Sequence, residues 1–361
     1  MLRPGKLKDF DWFLLGVAVV IAVIGAIEIY STTLGTPLVG QYRKQILFTF
    51  IGCLGAFVVS RIDYHAILER APWLFGLGVL GLVVLLFTKP VAGARRWFPL
   101  GFATLQVSEL VKLVIIVSVA AILADRRDEA ATWKDLLKLG IVVGLPAALV
   151  ALEPDLGTAL TFVPIAAAGV LMVGIRFRHV AVLALFGALM LPVGWHFLRP
   201  YQRERVVSFI HPAQDTRGSH YQATQSKIAI GSGGFLGKGF GSGTQSRLGF
   251  IPVSRADFMF ATYSEEQGFV GTLLVMLLYF VLLLRLLDVA QTAGDRAGSL
   301  VVVGLAALLF FQVSVNVGMM IGFLPITGIP LPLMSQGGSS VLSTFLGLGM
   351  AISVRMRRLV N

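Results

Sequence analysis

The strongest constraint on this chain is a series of long apolar stretches that recurs from one end of the sequence to the other. A helix needs about 20 mostly apolar residues to cross the hydrocarbon core of a membrane. Charged residues make up 14% of the 361 residues, whereas a soluble domain has about 25%. The sequence therefore predicts an all-α integral membrane protein, a single polytopic domain over residues 1–361 with about ten transmembrane helices. The qualifying stretches are 11–30, 45–60, 72–88, 105–124, 136–152, 157–174, 178–197, 264–285, 299–322 and 338–355.

The distribution of lysine and arginine predicts how these helices are oriented, because cytoplasmic loops carry an excess of both residues. With the N-terminus in the cytoplasm, the inside segments hold far more of them than the short outside loops do. Both termini are therefore predicted to be cytoplasmic, and a long loop, about 198–263 between the seventh and eighth helices, to be extracytoplasmic. The net charge of +11 is spread over many short loops, which favours the charge bias that orients helices in membrane lipid and argues against a nucleic-acid partner.

The most polar part of the chain is a glycine-dense segment, 221–268, inside and just after that long loop. Its glycines do not fit the phosphate-binding pattern G-x-x-x-x-G-K-[ST], because Ser232 and Gly239 stand at two required positions. The five histidines of the chain show no metal-ligand spacing. Spacing alone favours a flexible or tightly turning outer loop, since glycine permits backbone conformations that other residues avoid.

A group of polar residues stands at the outer start of the predicted fourth helix: Gln106, Ser108, Glu109 and Lys112. Glu109 and Lys112 are three positions apart, so they lie on one helix face and are able to pair. A charge at the membrane centre costs on the order of 3 kcal/mol on insertion scales, so such groups normally pair or line a wet cavity. The residues leave two interpretations equally open, a structural ion pair near the interface and one wall of a polar cavity.

Two arginines and a tryptophan, Arg95, Arg96 and Trp97, precede that helix. Such a cluster is typical of an interfacial anchor, and paired arginines also suit an anionic diphosphate. Near the C-terminus, the segment 322–340 has three prolines and paired glycines. Irregular backbone is not tolerated in lipid, so we expect this segment to be an outer loop that dips back and closes over the cavity. Asn316, just before it, is expected to hydrogen-bond another helix.

The local pattern around Asp257 favours helix capping over catalysis. Ser254 and Asp257 fit the [ST]-x-x-[DE] capping pattern ahead of the eighth apolar stretch. Glu265 and Glu266 are likewise expected to be first-turn carboxylates favoured by the helix dipole.

A second pair of acidic residues, Glu153 and Asp155, flanks Pro154 in another predicted outer turn. Aspartate and proline are typical turn residues, so turn chemistry is the favoured interpretation of that pair.

Several long motifs, taken together, resemble one known family. They are YQATQSKIAIGSGGFLGKGFGSGTQ, Asp257-Phe258 with the following Glu-Glu-x-Gly-Phe, NVGMMIGFLPITGIPLPLMSQGGSS, GARRW with LQVSELVKL, and EPDLGTAL. In this order, over nearly the whole chain, they resemble the SEDS family (shape, elongation, division and sporulation). The short N-terminus and short tail resemble the elongation members more than the division members.

The resemblance implies a ten-helix fold and a peptidoglycan glycosyltransferase that serves cell elongation and shape. Such an enzyme polymerises lipid II, the undecaprenyl-pyrophosphate-linked disaccharide-pentapeptide, at the outer face of the cytoplasmic (inner) membrane. Its implied partners are a class B penicillin-binding protein, which is a transpeptidase, and other membrane proteins of the elongation complex. The family's essential outer aspartate corresponds to Asp257, and its acidic and basic pair in the fourth helix to Glu109 and Lys112. The chain departs from the family's Glu-x-His-Thr before that aspartate, where it has the residues 253–256, Val-Ser-Arg-Ala.

On this basis we expect Asp257 to be the general base or to hold a divalent cation, Mg²⁺ or Mn²⁺. Arg205 is expected to bind phosphate, and Glu109 and Lys112, with Gln106 and Ser108 beside them, to shape a charged cavity. No cofactor is otherwise implied. Two rival hypotheses remain, a lipid II flippase with a polar cavity in a helix bundle and a non-catalytic scaffold for a penicillin-binding protein.

Overall fold

Long apolar helices make up most of the computed structural model, which describes residues 7–88, 95–99, 104–125, 130–210, 219–251 and 256–358. Within these ranges, eight helices are long and apolar enough to cross a membrane. The lipid interior offers the backbone no hydrogen-bond partner, so a helix, which satisfies its own amides, is the stable form of each stretch. The helices at the predicted third and fourth stretches are shorter, with 16 and 17 residues.

The helices that overlap the ten predicted stretches are α1 (Trp12–Thr33), α2 (Gln41–Arg61), α4 (Ala71–Leu86), α5 (Val107–Leu123), α6 (Trp133–Leu152), α7 (Leu156–Leu160) followed by α8 (Phe162–Val173), α9 (Phe177–Phe197), α13 (Met259–Gln291), α14 (Arg296–Ile321) and α15 (Gly338–Met356). The remaining elements are a 3₁₀ turn (Leu7–Asp9), α3 (Tyr64–Glu69), the antiparallel strands β1 (Trp97–Pro99) and β2 (Thr104–Gln106), α10 (Pro200–Ile210), α11 (Ser219–Ser232) and α12 (Thr244–Arg247).

The centre of the bundle is formed by α14 and α15, and α2 packs closely against α15. Small residues make this approach possible, since a β-carbon added to Gly349 would lie 2.7 Å from the carbonyl oxygen of Ala56. A β-carbon on Gly52 would similarly lie 2.6 Å from the ring of Phe345. Small residues at helix contacts are typical of membrane bundles, where van der Waals packing drives association. In contrast, α9 leaves nearly all of its described side chains exposed.

Within the described residues, the start of α1 and the end of α15 lie together at one end of the bundle. The carboxylate of Asp11, just before α1, accepts hydrogen bonds from Arg285 (2.9 Å) and from Arg355 near the end of α15 (2.6 Å). The start of α15 therefore lies at the opposite end, together with the end of α1. This arrangement agrees with the prediction that the two termini share one side of the membrane.

The predicted long outer loop, 198–263, contains more helix than the sequence indicated. Within the described residues it holds α10, α11 and α12, and α13 already begins at Met259 rather than at 264. The glycines between α11 and α12 do form tight turns, with positive φ at 234, 237, 239 and 241. These turns lie directly against α13, since a β-carbon on Gly233 would lie 3.1 Å from Cα of Glu265.

The expectation that Glu265 and Glu266 occupy the first turn of a membrane helix is wrong. They lie in the second turn of α13, just before its break at Gly268 (φ 65°, ψ −163°). Both are fully buried, and they bind the glycine-rich turns instead. Glu265 accepts from the backbone amide of Thr244 (3.0 Å) and from Lys238 Nζ (2.6 Å). The dipole that this carboxylate complements is that of α12, which begins at Thr244.

Candidate active site

A cavity of about 540 Å³ opens at the end of the bundle opposite the two termini. It brings together four of the residues predicted for the site, Gln106, Glu109, Arg205 and Asp257. Residues from the segment 322–340 form one side of it, which agrees with the prediction that this segment closes over the cavity. The polar and charged lining residues are Arg96, Thr104, Gln106, Glu109, Asp155, Thr158, Tyr201, Gln202, Arg205, Asp257, Thr327, Gln336, Ser339 and Ser340.

Asp257 lies in this lining, two residues before α13 begins. The capping interpretation is not supported, because Asp257 precedes the helix and α13 has no side-chain cap at its start. Ser254, the other half of the capping pattern, lies outside the described residues. Burial raises the pKa of the Asp257 carboxyl, while the positive charge of Arg205 opposes that rise. A desolvated carboxylate of this kind is a stronger base than one in water.

The side chains of Asp257 and Arg205 approach the same backbone position, Gly328. A β-carbon added there would lie 3.4 Å from Oδ2 of Asp257 and 3.7 Å from Nη1 of Arg205. Gly328 has a φ of 76°, a backbone conformation that glycine adopts without strain. Arg205 is carried by α10 and also donates to the carbonyl oxygen of Ile326 (3.3 Å). Helix α10, which lies inside the predicted outer loop, thus places a guanidinium in the cavity.

The two arginines that precede α5, Arg95 and Arg96, have different environments. Arg95 is exposed and donates to the carbonyl oxygen of Leu86 (2.6 Å). Arg96 lines the cavity, donates to the carbonyl oxygens of Glu153 (3.1 Å) and Pro154, and lies 3.7 Å from Asp155. Arg96 is therefore a second guanidinium in the cavity wall, with its charge partly balanced by Asp155. Its partner in the sequence, Arg95, is not in the lining.

Asp155 is a cavity residue that the sequence interpretation assigned to turn chemistry alone. Its Oδ1 does cap α7, accepting from the backbone amide of Thr158 (3.2 Å). Its Oδ2 accepts from Nε2 of Gln106 (3.1 Å) across the cavity wall. The neighbouring Glu153 is buried, and burial together with the charge of Asp155 raises its pKa to about 8. The tertiary contacts with Gln106 and Arg96, rather than the local sequence, mark Asp155 as a site residue.

Glu109 and Lys112 form a buried ion pair, with Nζ of Lys112 2.7 Å from Oε2 of Glu109. The same oxygen accepts from the hydroxyl of Ser343 on α15 (3.0 Å). Glu109 lines the cavity, whereas Lys112 lies behind it. Both interpretations of the pair therefore hold at once, since it is an ion pair and one of its members is part of a cavity wall. Ser108 is buried outside the lining, so the structure does not place it in the site.

The sequence suggested that Asn316 bonds another helix, but among the described residues its recorded partners lie in loops. Its Nδ2 donates to two loop carbonyl oxygens, those of Asp257 (2.9 Å) and Ile329 (2.8 Å). For metal binding, the described residues contain no group of three or more His, Cys, Asp or Glu side chains placed to hold an ion. The carboxylates that line the cavity are those of Glu109, Asp155 and Asp257.

Comparison with known proteins places the chain in a family. The model of the cell cycle protein family FtsW/RodA/SpoVE matches residues 9–359. The peptidoglycan glycosyltransferase MrdB of Escherichia coli (strain K12) is 35% identical over 353 residues, covering 96% of this chain and 94% of MrdB. The peptidoglycan glycosyltransferase RodA of Treponema pallidum is 31% identical, covering 99% of this chain and all of that protein.

Solved structures share the fold. One, from work on the structural coordination of polymerization and crosslinking by a peptidoglycan synthase complex, superposes with a TM-score of 0.83 at 32% identity, covering 97% of this chain and 98% of that chain. The crystal structure of the rod shape determining protein RodA of Thermus thermophilus superposes with a TM-score of 0.71 at 29% identity and the same coverage. Since the family model and these relatives all span nearly the whole sequence, the chain belongs to the FtsW/RodA/SpoVE family of cell cycle proteins.

Proposed function

We propose that this chain is a peptidoglycan glycosyltransferase that polymerises lipid II in the cavity, with Asp257 as the general base. Relatives across nearly the full length carry the name peptidoglycan glycosyltransferase. The observation that carries the proposal is the placement of a partly buried carboxylate, that of Asp257, close to Arg205 in a cavity that also contains Arg96. A carboxylate suits the deprotonation of an acceptor hydroxyl, and guanidiniums suit the negative charge of a leaving diphosphate.

In the proposed reaction, an acceptor sugar hydroxyl attacks the anomeric carbon of a lipid-linked donor sugar. The new bond joins the hydroxyl oxygen to that carbon, and the bond from the carbon to the diphosphate oxygen breaks. Asp257 takes the hydroxyl proton, and burial favours this step by raising the pKa of its carboxyl. Arg96 and Arg205 stabilise the negative charge that develops on the leaving diphosphate. Holding the two sugars in reacting geometry supplies much of the remaining rate enhancement.

The cavity walls have separate tasks in this scheme. Gln106 and Asp155 hold each other across the rim through a 3.1 Å hydrogen bond, which fixes two polar groups that the sugars meet. Lys112 balances the charge of Glu109, so the wall beside the diphosphate carries no uncompensated negative charge. A divalent cation at Asp257 stays a prediction. The cavity carboxylates could supply at most part of its ligands, and substrate phosphates and water commonly complete such a site for Mg²⁺.

The site lies at the end of the bundle opposite the termini, and we infer that this end faces the outside of the cytoplasmic membrane. The charge distribution in the sequence supports this orientation. We further infer that the chain works with a class B penicillin-binding protein and with other membrane proteins of cell elongation. The similarity to a chain from a peptidoglycan synthase complex supports such a partner.

The deciding experiment is lipid II polymerisation by purified protein together with its penicillin-binding partner, with the glycan product resolved on gels. Asp257→Asn removes the base while keeping the shape of the side chain, and we expect no detectable polymer. Asp288→Asn is the matched control, because it neutralises a half-exposed aspartate at the far end of the bundle. Polymer from Asp257→Asn at the wild-type rate, with normal folding, would exclude the catalytic role.

The same variants separate the rival hypotheses. A lipid II flippase would move labelled lipid II across vesicle membranes without forming polymer. A scaffold would remain fully functional after Asp257→Asn and would lose function only through changes on an exposed helix face.

A further inference from the structure

We propose that Asn316 and Ser335 are positioning residues that hold the backbone of Asp257 in place for catalysis. The inference rests on the proposed function, in which Asp257 is the base. Among the described residues no hydrogen bond to its carboxylate is recorded, while the carbonyl oxygens of both 256 and 257 are bound by buried side chains. The placement of the reacting group therefore depends on what holds its backbone.

Asn316 provides the first of these bonds. Its side chain is fully buried near the end of α14, and its amide nitrogen donates to the carbonyl oxygens of Asp257 (2.9 Å) and Ile329 (2.8 Å). Both partners are carbonyl oxygens, which only accept, so the amide group must present its NH₂ to them. One nitrogen thus links Asp257 to the segment 322–340, which closes over the cavity and is called the covering segment below.

Ser335 provides the second bond. Its hydroxyl donates to the carbonyl oxygen of Ala256 (2.6 Å) and accepts from the backbone amide of Leu331 (2.9 Å). Two consecutive peptide groups, at 256 and 257, are therefore attached to the same covering segment through two separate side chains. This segment also carries Gly328, the position that the Asp257 carboxylate approaches. Fixing the backbone at both residues limits where that carboxylate can move.

Neither positioning residue is part of the cavity lining. Their loss is therefore expected to leave substrate binding almost intact while it misplaces the base. A displacement of about 1 Å in a reacting group can cost on the order of 100-fold in rate. We expect Asn316→Ala to lower kcat for lipid II polymerisation by about 100-fold with KM changed by less than about threefold. Ser335→Ala, which removes one bond to Ala256, is expected to lower kcat by about tenfold.

Tyr279 is a control in the same region. Its hydroxyl, on a fully buried side chain of α13, donates to the carbonyl oxygen of Pro332 in the covering segment. It makes no recorded bond to 256, 257 or Ser335, so Tyr279→Phe removes one buried hydrogen bond to this segment without touching either positioning residue. We expect Tyr279→Phe to lower the thermal midpoint about as much as Ser335→Ala, yet to leave kcat within about threefold of wild type. A loss of kcat in Tyr279→Phe equal to that in Ser335→Ala would overturn the positioning role.

The pH dependence of kcat gives a second test, because a general loosening of the covering segment would not shift it. Burial raises the pKa of Asp257, so a base released toward water should titrate at lower pH. The acid limb of the kcat profile should therefore move to lower pH in Asn316→Ala and stay in place in Tyr279→Phe. An unmoved limb in Asn316→Ala would contradict the proposal. If Asn316→Ala does not fold, Ser335→Ala decides alone, with lowered kcat at constant KM in support and wild-type kcat against.

Asp257→Asn, measured beside these variants, separates this inference from the proposed function. If Asp257→Asn forms polymer at the wild-type rate, the proposed function fails and the positioning role falls with it. If Asp257→Asn is inactive while Asn316→Ala and Ser335→Ala both keep wild-type kcat, only the positioning role is overturned.

Discussion

Oδ2 of Asp257 lies 3.4 Å from the point where a β-carbon would stand on Gly328, and Nη1 of Arg205 lies 3.7 Å from the same point. The covering segment thus leaves an open position, shaped by the absence of a side chain, beside both groups. Gly328 belongs to a proline-rich stretch that is remote from both residues in the sequence. Its contribution to the site is space, and that contribution is testable.

Gly328→Ala should reduce polymerisation far more than it reduces stability. The new methyl group would contact both Asp257 and Arg205, and a left-handed backbone with a β-carbon costs roughly 1–2 kcal/mol. Gly249→Ala separates the two effects, because Gly249 has a similar φ of 72° and nothing within 4 Å of the added carbon. Thermal midpoints and polymerisation rates of both variants are compared. A loss of activity that is equal in the two variants would argue against a specific contact in the cavity.

The pH dependence of polymerisation should follow the charge of Arg205. Burial raises the pKa of Asp257 and the positive charge of Arg205 lowers it, because a nearby cation favours the carboxylate. The acid limb of the wild-type rate profile is therefore expected at a pH above the usual aspartate pKa of about 3.9. Arg205→Gln removes the cation, so the base should require a still higher pH to ionise, and the limb should move upward.

Arg203→Gln is the control for that profile, since Arg203 is also carried by α10 but donates to the carbonyl oxygens of Trp195 and His196 outside the cavity. Its profile should coincide with wild type. A downward shift in Arg205→Gln would mean that the limb reports a group other than Asp257.

Lys112→Met should destabilise the protein strongly, because it leaves the buried carboxylate of Glu109 without its cation. Breaking a buried ion pair from one side typically costs about 3–5 kcal/mol. The double variant Glu109→Gln with Lys112→Met removes both charges and should recover most of that loss. Thermal unfolding in detergent micelles measures all three proteins. A single variant as stable as wild type would show that the pair contributes nothing to stability.

His65 should make stability depend on pH at the end of the bundle that carries the termini. Burial lowers the pKa of His65, but its contacts with Asp63 (3.0 Å) and Asp295 (2.7 Å) outweigh that effect and raise it. A raised pKa means that the folded state binds the proton more tightly than the unfolded state does. The stabilisation is thus complete below the unfolded pKa of about 6.5 and is lost as pH rises through the folded value.

The thermal midpoint of wild type should accordingly fall as pH rises through that window, and His65→Gln should flatten the dependence. His196→Gln is the matched control, because His196 contacts only the carbonyl oxygen of Pro192 among the recorded hydrogen bonds of its ring. If the thermal midpoint of His65→Gln still falls as pH rises, the pH dependence belongs to another group.

Several site residues could be named from the sequence because their types are rare in apolar surroundings. Asp257 and Arg205 lie in or beside the long polar segment, and Glu109 interrupts an apolar helix, so each was a candidate before the fold was known. Asp155 was not, because an aspartate after a proline is a common turn residue and its capping bond to Thr158 is real. Asn316 stands out as a polar residue in an apolar helix, but its partners lie in loops whose path the sequence does not reveal.

The sequence by itself determined that this chain is a bundle of membrane helices, because lipid forces each long apolar stretch to satisfy its backbone internally. Only the tertiary structure decided which polar groups share the cavity, which carboxylates cap helices, and what holds the base. Local patterns constrain residues a few positions apart, whereas Asn316 and Asp257 are 59 positions apart. Their contact depends on how α14, α13 and the covering segment pack, and that packing follows from the fit of many side chains at once.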